Sequence, residues 1–91
     1  MYRVFLTDIF KKKIENIPEN IREKIRAKIF DFVVPQLKQE PHFGANIRKL
    51  RDWTPPTWRY RLGSFRLFYI IDEIEKVVAF VSLDDRKASN R

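Results

Sequence analysis

Apolar residues recur along this chain in helical and then in alternating rhythm, and the change of rhythm divides it into helices and strands. Tyr2 to Leu6 (YRVFL) is a short apolar run that predicts an opening strand. Ile9, Phe10, Ile14 and Ile17 then fall at helical spacing, with Thr7 placed to cap the free amides of a first helix. Lys11, Lys12 and Lys13 form its solvent side. Pro18 and Glu19 open a second helix, because proline's fixed φ suits a first turn and an acid complements the positive end of the dipole. That helix carries Ile21, Ile25, Ile29, Phe32 and Val33 on one stripe. It is expected to end or kink at Pro35, which lacks an amide donor and disfavours helical geometry at Val34.

Residues 38–57, punctuated by Pro41, Gly44, Pro55 and Pro56, predict an irregular connection, long enough in a compact domain to carry function. Beyond it the period changes to two. WRYRL, Gly63-Ser64 and FRLFYIID predict a hairpin with a two-residue, glycine-first turn. DEIEK turns the chain again and VVAFVSL supplies a further strand. Helices first and strands last make an α+β fold: an N-terminal strand, a helical hairpin, then an antiparallel β-meander, with the helices packed on one face of a small sheet. No repeat or second unit is visible, so residues 1–91 are expected to form one domain.

The turn at Gly63-Ser64 fixes a register. Leu62 faces Phe65, Arg61 faces Arg66, Tyr60 faces Leu67 and Arg59 faces Phe68. Alternation sends Trp58, Tyr60, Leu62, Phe65, Leu67, Tyr69 and Ile71 to the core side. Arg59, Arg61 and Arg66 share the other face with Phe68 and Ile70. Like charges opposed across a sheet cost on the order of 0.2–1 kcal/mol, so this is not a placement that stability alone selects. Three guanidiniums on one face suit phosphate geometry, with Arg48, Lys49 and Arg51 close enough in sequence to reach the same surface and Phe68 as a stacking platform. Solvated arginines, or arginines paired with Asp84 and Asp85, are the plainer alternative.

Charge sharpens this picture. The chain has a net charge of +7. Residues 48–69 alone hold six basic residues and one acid, a net +5, interleaved with aromatic rings. A local cationic patch of that kind is what a polyanion with stackable bases selects. There is no cysteine and one histidine, His42, so neither thiolate chemistry nor a histidine metal site has its ligands, and no metal or cofactor is expected. No stretch approaches 18 apolar residues and MYRVFLTDIF lacks a signal-peptide layout, so a cytoplasmic chain with no membrane partner is expected.

The run RKLRDWTPPTWRYRLGSFRLFYIID resembles the RelE/ParE superfamily of bacterial and archaeal toxins. The likeness rests on Lys49-Leu50-Arg51, on Arg59 to Gly63, on the Arg66 to Tyr69 strand, on Pro41 and Gly44 upstream, and on Val81 to Lys87 at the end. It implies the toxin of a type II toxin–antitoxin pair, neutralised by an acidic antitoxin protein and otherwise a monomer or weak dimer. RelE-like members of the family cleave mRNA on the ribosome as metal-independent endoribonucleases and so inhibit translation; ParE-like members inhibit DNA gyrase. The chain departs from the nuclease pattern near its end, with Asp85-Arg86 in place of His-Arg or Lys-Arg, and Asn90 where a Tyr is common.

Metal-free RNA cleavage needs a base for the 2′-hydroxyl, cations for the phosphorane and an acid for the leaving oxygen. Arg61, Arg66 and Arg86 can stabilise charge but cannot take a proton. Lys49 is the proton-transfer candidate, because crowding by Arg48 and Arg51 favours its neutral amine. The expected catalytic set is therefore Lys49, Arg61, Arg66 and Arg86, with Arg48, Arg51, Arg59 and Phe68 binding RNA. A gyrase inhibitor without nuclease activity, or a catalytically weakened member, remains the alternative. His42, beside Pro41 and Phe43, is expected to be structural, and Asp85 is a lesser candidate base.

Overall fold

The computed structural model describes residues 1–86. Its elements are β1 (Arg3–Leu6), α1 (Asp8–Glu15), α2 (Glu19–Lys28), a π-helical turn (Ile29–Val33), α3 (Val34–Gln39), β2 (Ile47–Lys49), β3 (Trp58–Leu62), β4 (Phe65–Asp72) and β5 (Val77–Asp85). The strands form one sheet in the order β1-β5-β4-β3-β2. All neighbours are antiparallel except β1, which runs parallel to β5. The α+β class and the helices on one face match the sequence expectation, while the parallel edge makes the sheet mixed.

Thr7 caps α1 as the sequence predicts: its Oγ1 accepts the Phe10 amide at 3.2 Å and its hydroxyl donates to the Phe80 carbonyl at 2.8 Å. One hydroxyl thus starts the helix and ties it to β5. Phe10 then packs edge-on against Phe80, ring centroids 5.2 Å apart. With Ile14, Ile25, Ile29, Val33 and Leu37 from the helices, and Leu67, Tyr69 and Val78 from the sheet, these rings form the core.

Pro35 does not end the helical region. The chain widens into a π turn in which the Val34 amide reaches back five residues to the Ile29 carbonyl, and α3 continues to Gln39 with Pro35 in its first turn. The reason lies in the buried series Ile25, Ile29, Val33, Leu37. Four-residue steps drift by about 40° each around a regular α-helix. A wider turn takes up part of that drift and keeps the later apolar residues on the sheet. It also starts a fresh helix where the missing proline amide costs nothing. Two residues of the expected stripes lie outside: Ile9 of α1 and Phe32 of the π turn face solvent, 62% and 67% exposed.

The segment expected to be irregular holds the end of α3 and a short strand. β2 pairs antiparallel with β3, Ile47 opposite Tyr60, Arg48 opposite Arg59 and Lys49 opposite Trp58. The Tyr69 hydroxyl, buried, ties the connection to the core by donating to the Pro41 carbonyl, and the Tyr60 hydroxyl donates to Gln36 Oε1 of α3, each at 2.7 Å.

Candidate functional site

The β3–β4 hairpin turns at Gly63, whose φ of 60° belongs to the left-handed region that glycine enters without strain. Ser64 does not share that sign, so the turn is the glycine-first type the sequence predicts. The register follows residue for residue: Leu62 opposite Phe65, Arg61 opposite Arg66, Tyr60 opposite Leu67 and Arg59 opposite Phe68. Tyr60, Phe65, Leu67 and Tyr69 are buried beneath the helices. Arg59, Arg61 and Arg66 stand on the opposite, open face.

Two neighbouring elements flank a cleft there, although Arg48 does not line it. β2 places Arg48 beside Arg59. At the other side, the Arg86 amide donates to the Ser64 carbonyl at 2.8 Å, which extends the β4–β5 pairing and brings Arg86 to the turn. The resulting cleft, about 320 Å³, is lined by Arg59, Arg61, Gly63, Ser64, Arg66 and Arg86. Among the described residues no carboxylate lines it.

Crowding is visible in Arg59. Burial, followed by the charges of Arg61, Arg48, Arg66 and Arg86, lowers its pKa from the ordinary guanidinium value. It stays protonated at any physiological pH. Its Nε is buried without a hydrogen-bond partner, and among the described residues neither Arg59 nor Arg61 forms an ion pair. Asp84 stands opposite Arg66 in the register, and its carboxylate lies 3.7 Å from Lys13 of α1. An anion entering the cleft meets guanidinium donors and fixed positive charge.

The open face also carries an aromatic pair. Trp53, in the loop between β2 and β3, stacks on Phe68 with ring planes 12° apart and centroids at 6.1 Å. The loop is held closed by the Leu50 amide on the Thr57 carbonyl and by the Thr57 hydroxyl on the Pro55 carbonyl, both 2.9 Å. A bulge in β5 helps from below. Phe68 pairs with Ser82 and Tyr69 with Phe80, so Val81 is the extra residue, and Leu83 returns to the core. A second hollow, about 370 Å³, is lined by Trp53, Thr57, Arg66, Phe68, Val81, Ser82 and Asp84, sharing Arg66 with the arginine cleft. Trp53 was singled out by no motif; its place beside Phe68 depends on a loop conformation, with Asp52 at φ 63°, that spacing does not encode.

Other residues picked from the sequence lie elsewhere. Lys49 follows Arg48 on β2, so alternation turns it to the helix side of the sheet, where its ammonium sits 5.8 Å from the Trp58 ring centre. Arg51 is exposed in the turn after β2. Asp85 pairs in register with Phe65 and borders a groove with Lys13, Ile17 and Pro18. Lys87 and Asn90 lie outside the described residues.

His42 lies in the segment between α3 and β2. Its Nδ1 meets Glu40 at 2.9 Å and its Nε2 meets Glu73, which also accepts the Tyr2 hydroxyl at 2.7 Å. The Glu73 hydrogen bond, opposed by burial and aided by Glu40, raises the His42 pKa. Both carboxylates are lowered, Glu40 first by the His42 amide and Glu73 first by the Tyr2 hydroxyl. The cluster ties three distant segments together, near the Asp72–Val77 end of the β4–β5 hairpin and away from the Gly63 turn.

Among the described residues no set of histidines and carboxylates is arranged to hold a metal ion, and no helix is long and apolar enough to cross a membrane. Comparison with known proteins gives a consistent picture. The toxin–antitoxin complex RelBE2 of Mycobacterium tuberculosis contains a chain similar to this one at 26% identity and a TM-score of 0.72, covering 93% of this chain and 98% of that one. The archaeal RelE–RelB complex of Pyrococcus horikoshii shares the fold at 24% identity and a TM-score of 0.69, covering 93% and 94%. The isolated RelE toxin of E. coli shares it at 22% and 0.66, covering 93% and 84%. No curated protein matches the chain. The family model for the ParE toxin of the type II toxin–antitoxin system, parDE, matches residues 4–89. This chain therefore belongs to the ParE toxin family, within the RelE/ParE superfamily of type II toxin–antitoxin toxins.

Proposed function

We propose that this toxin is a metal-independent endoribonuclease acting on mRNA at the ribosome, with the arginine cleft as its phosphate site. The observation that carries the reading is the convergence of Arg59, Arg61, Arg66 and Arg86 on one cleft. In such a reaction the ribose 2′-oxygen attacks the adjacent phosphorus, the P–O5′ bond breaks, and a 2′,3′-cyclic phosphate remains. Negative charge grows on the phosphoryl oxygens in between, and fixed guanidiniums are complementary to that growth. Arginine cannot accept the 2′-hydroxyl proton. Lys49 is the candidate for that step, and reaching the cleft requires its side chain to leave Trp58 and pass the β2 edge.

The reading includes an acidic antitoxin that covers the same face. Net charge of +7 favours such a partner, and the related M. tuberculosis and P. horikoshii proteins are toxin–antitoxin complexes. A second reading, inhibition of DNA gyrase, is favoured by the ParE family match and by a cleft that, among the described residues, is lined by no imidazole, carboxylate or amine.

In vitro translation with added toxin, followed by primer extension on the mRNA, separates the two. Codon-phased cuts that require ribosomes are expected from the wild type. Arg61 is exposed, so Arg61→Ala should fold normally and lose cleavage by about 10²–10³-fold, the usual effect of removing one fixed donor to a developing oxyanion. Intact mRNA with unimpaired translation, together with inhibited gyrase supercoiling, would establish the second reading instead.

A further inference from the structure

From the packing of the open face we infer that Trp53 and Phe68 form a nucleobase-stacking subsite, which seats an unpaired RNA base next to the phosphate held by the arginine cleft. The inference rests on the RNA-cleaving reading and adds to it a specific place for a base. Trp53 is 54% exposed although it already lies parallel to Phe68. A large apolar ring on a soluble surface normally gains from burial, and here the surrounding loop holds it open. Hydrogen bonds at its ends close the loop from Leu50 to Thr57 that carries Trp53, and the β5 bulge sets Val81 and Ser82 beneath the hollow. A preformed ring with an open face needs no ordering when a base arrives, which lowers the entropic cost of binding.

Position argues for RNA over an apolar peptide. Arg66 lines both the hollow and the arginine cleft, so the stacking surface and the phosphate donors meet at one side chain. Arg59 stands directly across the strand pair from Phe68. Alternating ring and guanidinium is the arrangement that single-stranded nucleic acid recognises through its base and its backbone together. Asp84 also borders the hollow, so its rim carries one carboxylate beside the Arg66 guanidinium.

The test uses the full chain and a short single-stranded RNA whose central 2′-hydroxyl is replaced by hydrogen, so that it binds without being cleaved. A second oligomer has the same backbone with abasic positions. Affinities are read at fixed low salt for wild type, Trp53→Ala and Trp53→Phe, with thermal melts to check folding. Wild type should prefer the base-bearing RNA by roughly 5- to 150-fold, the range that stacking one base covers. Trp53→Ala should lose that preference while keeping its affinity for the abasic oligomer, and Trp53→Phe should restore most of it. Equal loss on both oligomers, or no loss on either, overturns the stacking subsite and leaves the RNA reading standing. Wild type that binds neither oligomer overturns the subsite, while the ribosome-dependent cleavage assay decides the RNA reading separately.

Discussion

At His42 an imidazole lies between two carboxylates, and the pH dependence of stability follows from the direction of each shift. The His42 pKa is raised in the folded chain. Its contribution to stability is therefore complete below its unfolded value, near 6.5, and is lost as pH climbs through the raised folded value. Glu40 and Glu73 are lowered, so their contributions are present above their unfolded value of 4.5 and are lost as pH falls through the folded ones. The three are complete together only between pH 4.5 and 6.5. The Tm difference between wild type and His42→Gln should be largest within that window and should shrink by pH 9; a difference independent of pH would show that the imidazole is never charged. Tyr2 is pushed up to about 12, mainly by its hydrogen bond to Glu73, so it donates throughout this range. Tyr2→Phe should let the Glu73 pKa rise and so move the acid limb of the Tm profile to higher pH. None of this was legible beyond the expectation that His42 is structural, because Glu73 lies 31 residues away and the pair forms only in the folded chain.

Elements differ in how much of themselves they write into the sequence. The β3–β4 hairpin was legible because a two-residue turn fixes register, and register fixes which side chains share a face. Gly63 is the residue on which that inference depends. A Cβ there meets nothing within 4 Å, so crowding is no obstacle and only backbone strain opposes a side chain. Gly63→Ala should then cost about 1–2 kcal/mol in urea unfolding, the price of left-handed geometry for an L-residue. Strands with weaker local signals were hidden. β2 has three residues, Ile47–Lys49, and exists by pairing with β3, so its own pattern gives no alternation to find. That omission explains why Lys49 was grouped with the arginines: without a strand at 47–49, nothing assigned Arg48 and Lys49 to opposite faces. The continuation past Pro35 was hidden for another reason. Proline predicts a break from local geometry alone, whereas the buried series through Val33 and Leu37 is set by the sheet it packs on. The β5 bulge, which brings Ser82 and Asp84 to the arginine face, is likewise a property of the pairing.

For the whole molecule, the question is whether binding follows the net charge of +7 or the one cleft where arginines converge. The two give different salt dependences. Binding to a single strand releases counterions, and log K falls with log salt at a slope of about −0.7 per neutralised phosphate. If three or four cleft arginines each meet a phosphate, the slope lies at roughly −2 to −3. Removing Arg61 should flatten it by about 0.7. Lys11, Lys12 and Lys24 provide the control, since they are exposed on α1 and α2 and belong to the helix layer. Changing all three to Gln lowers the net charge from +7 to +4, three units against the one lost in Arg61→Ala. A focal site predicts that the triple variant keeps the wild-type slope although its net charge falls further. A diffuse field predicts that its slope flattens more than that of Arg61→Ala. Screening favours the first outcome, because at 0.15 M salt the Debye length is about 8 Å and exposed lysines on the far side of the sheet lie beyond effective reach of the cleft. Measured side by side over a salt series, the two variants therefore show whether this small basic chain recognises its target with a surface or with a site.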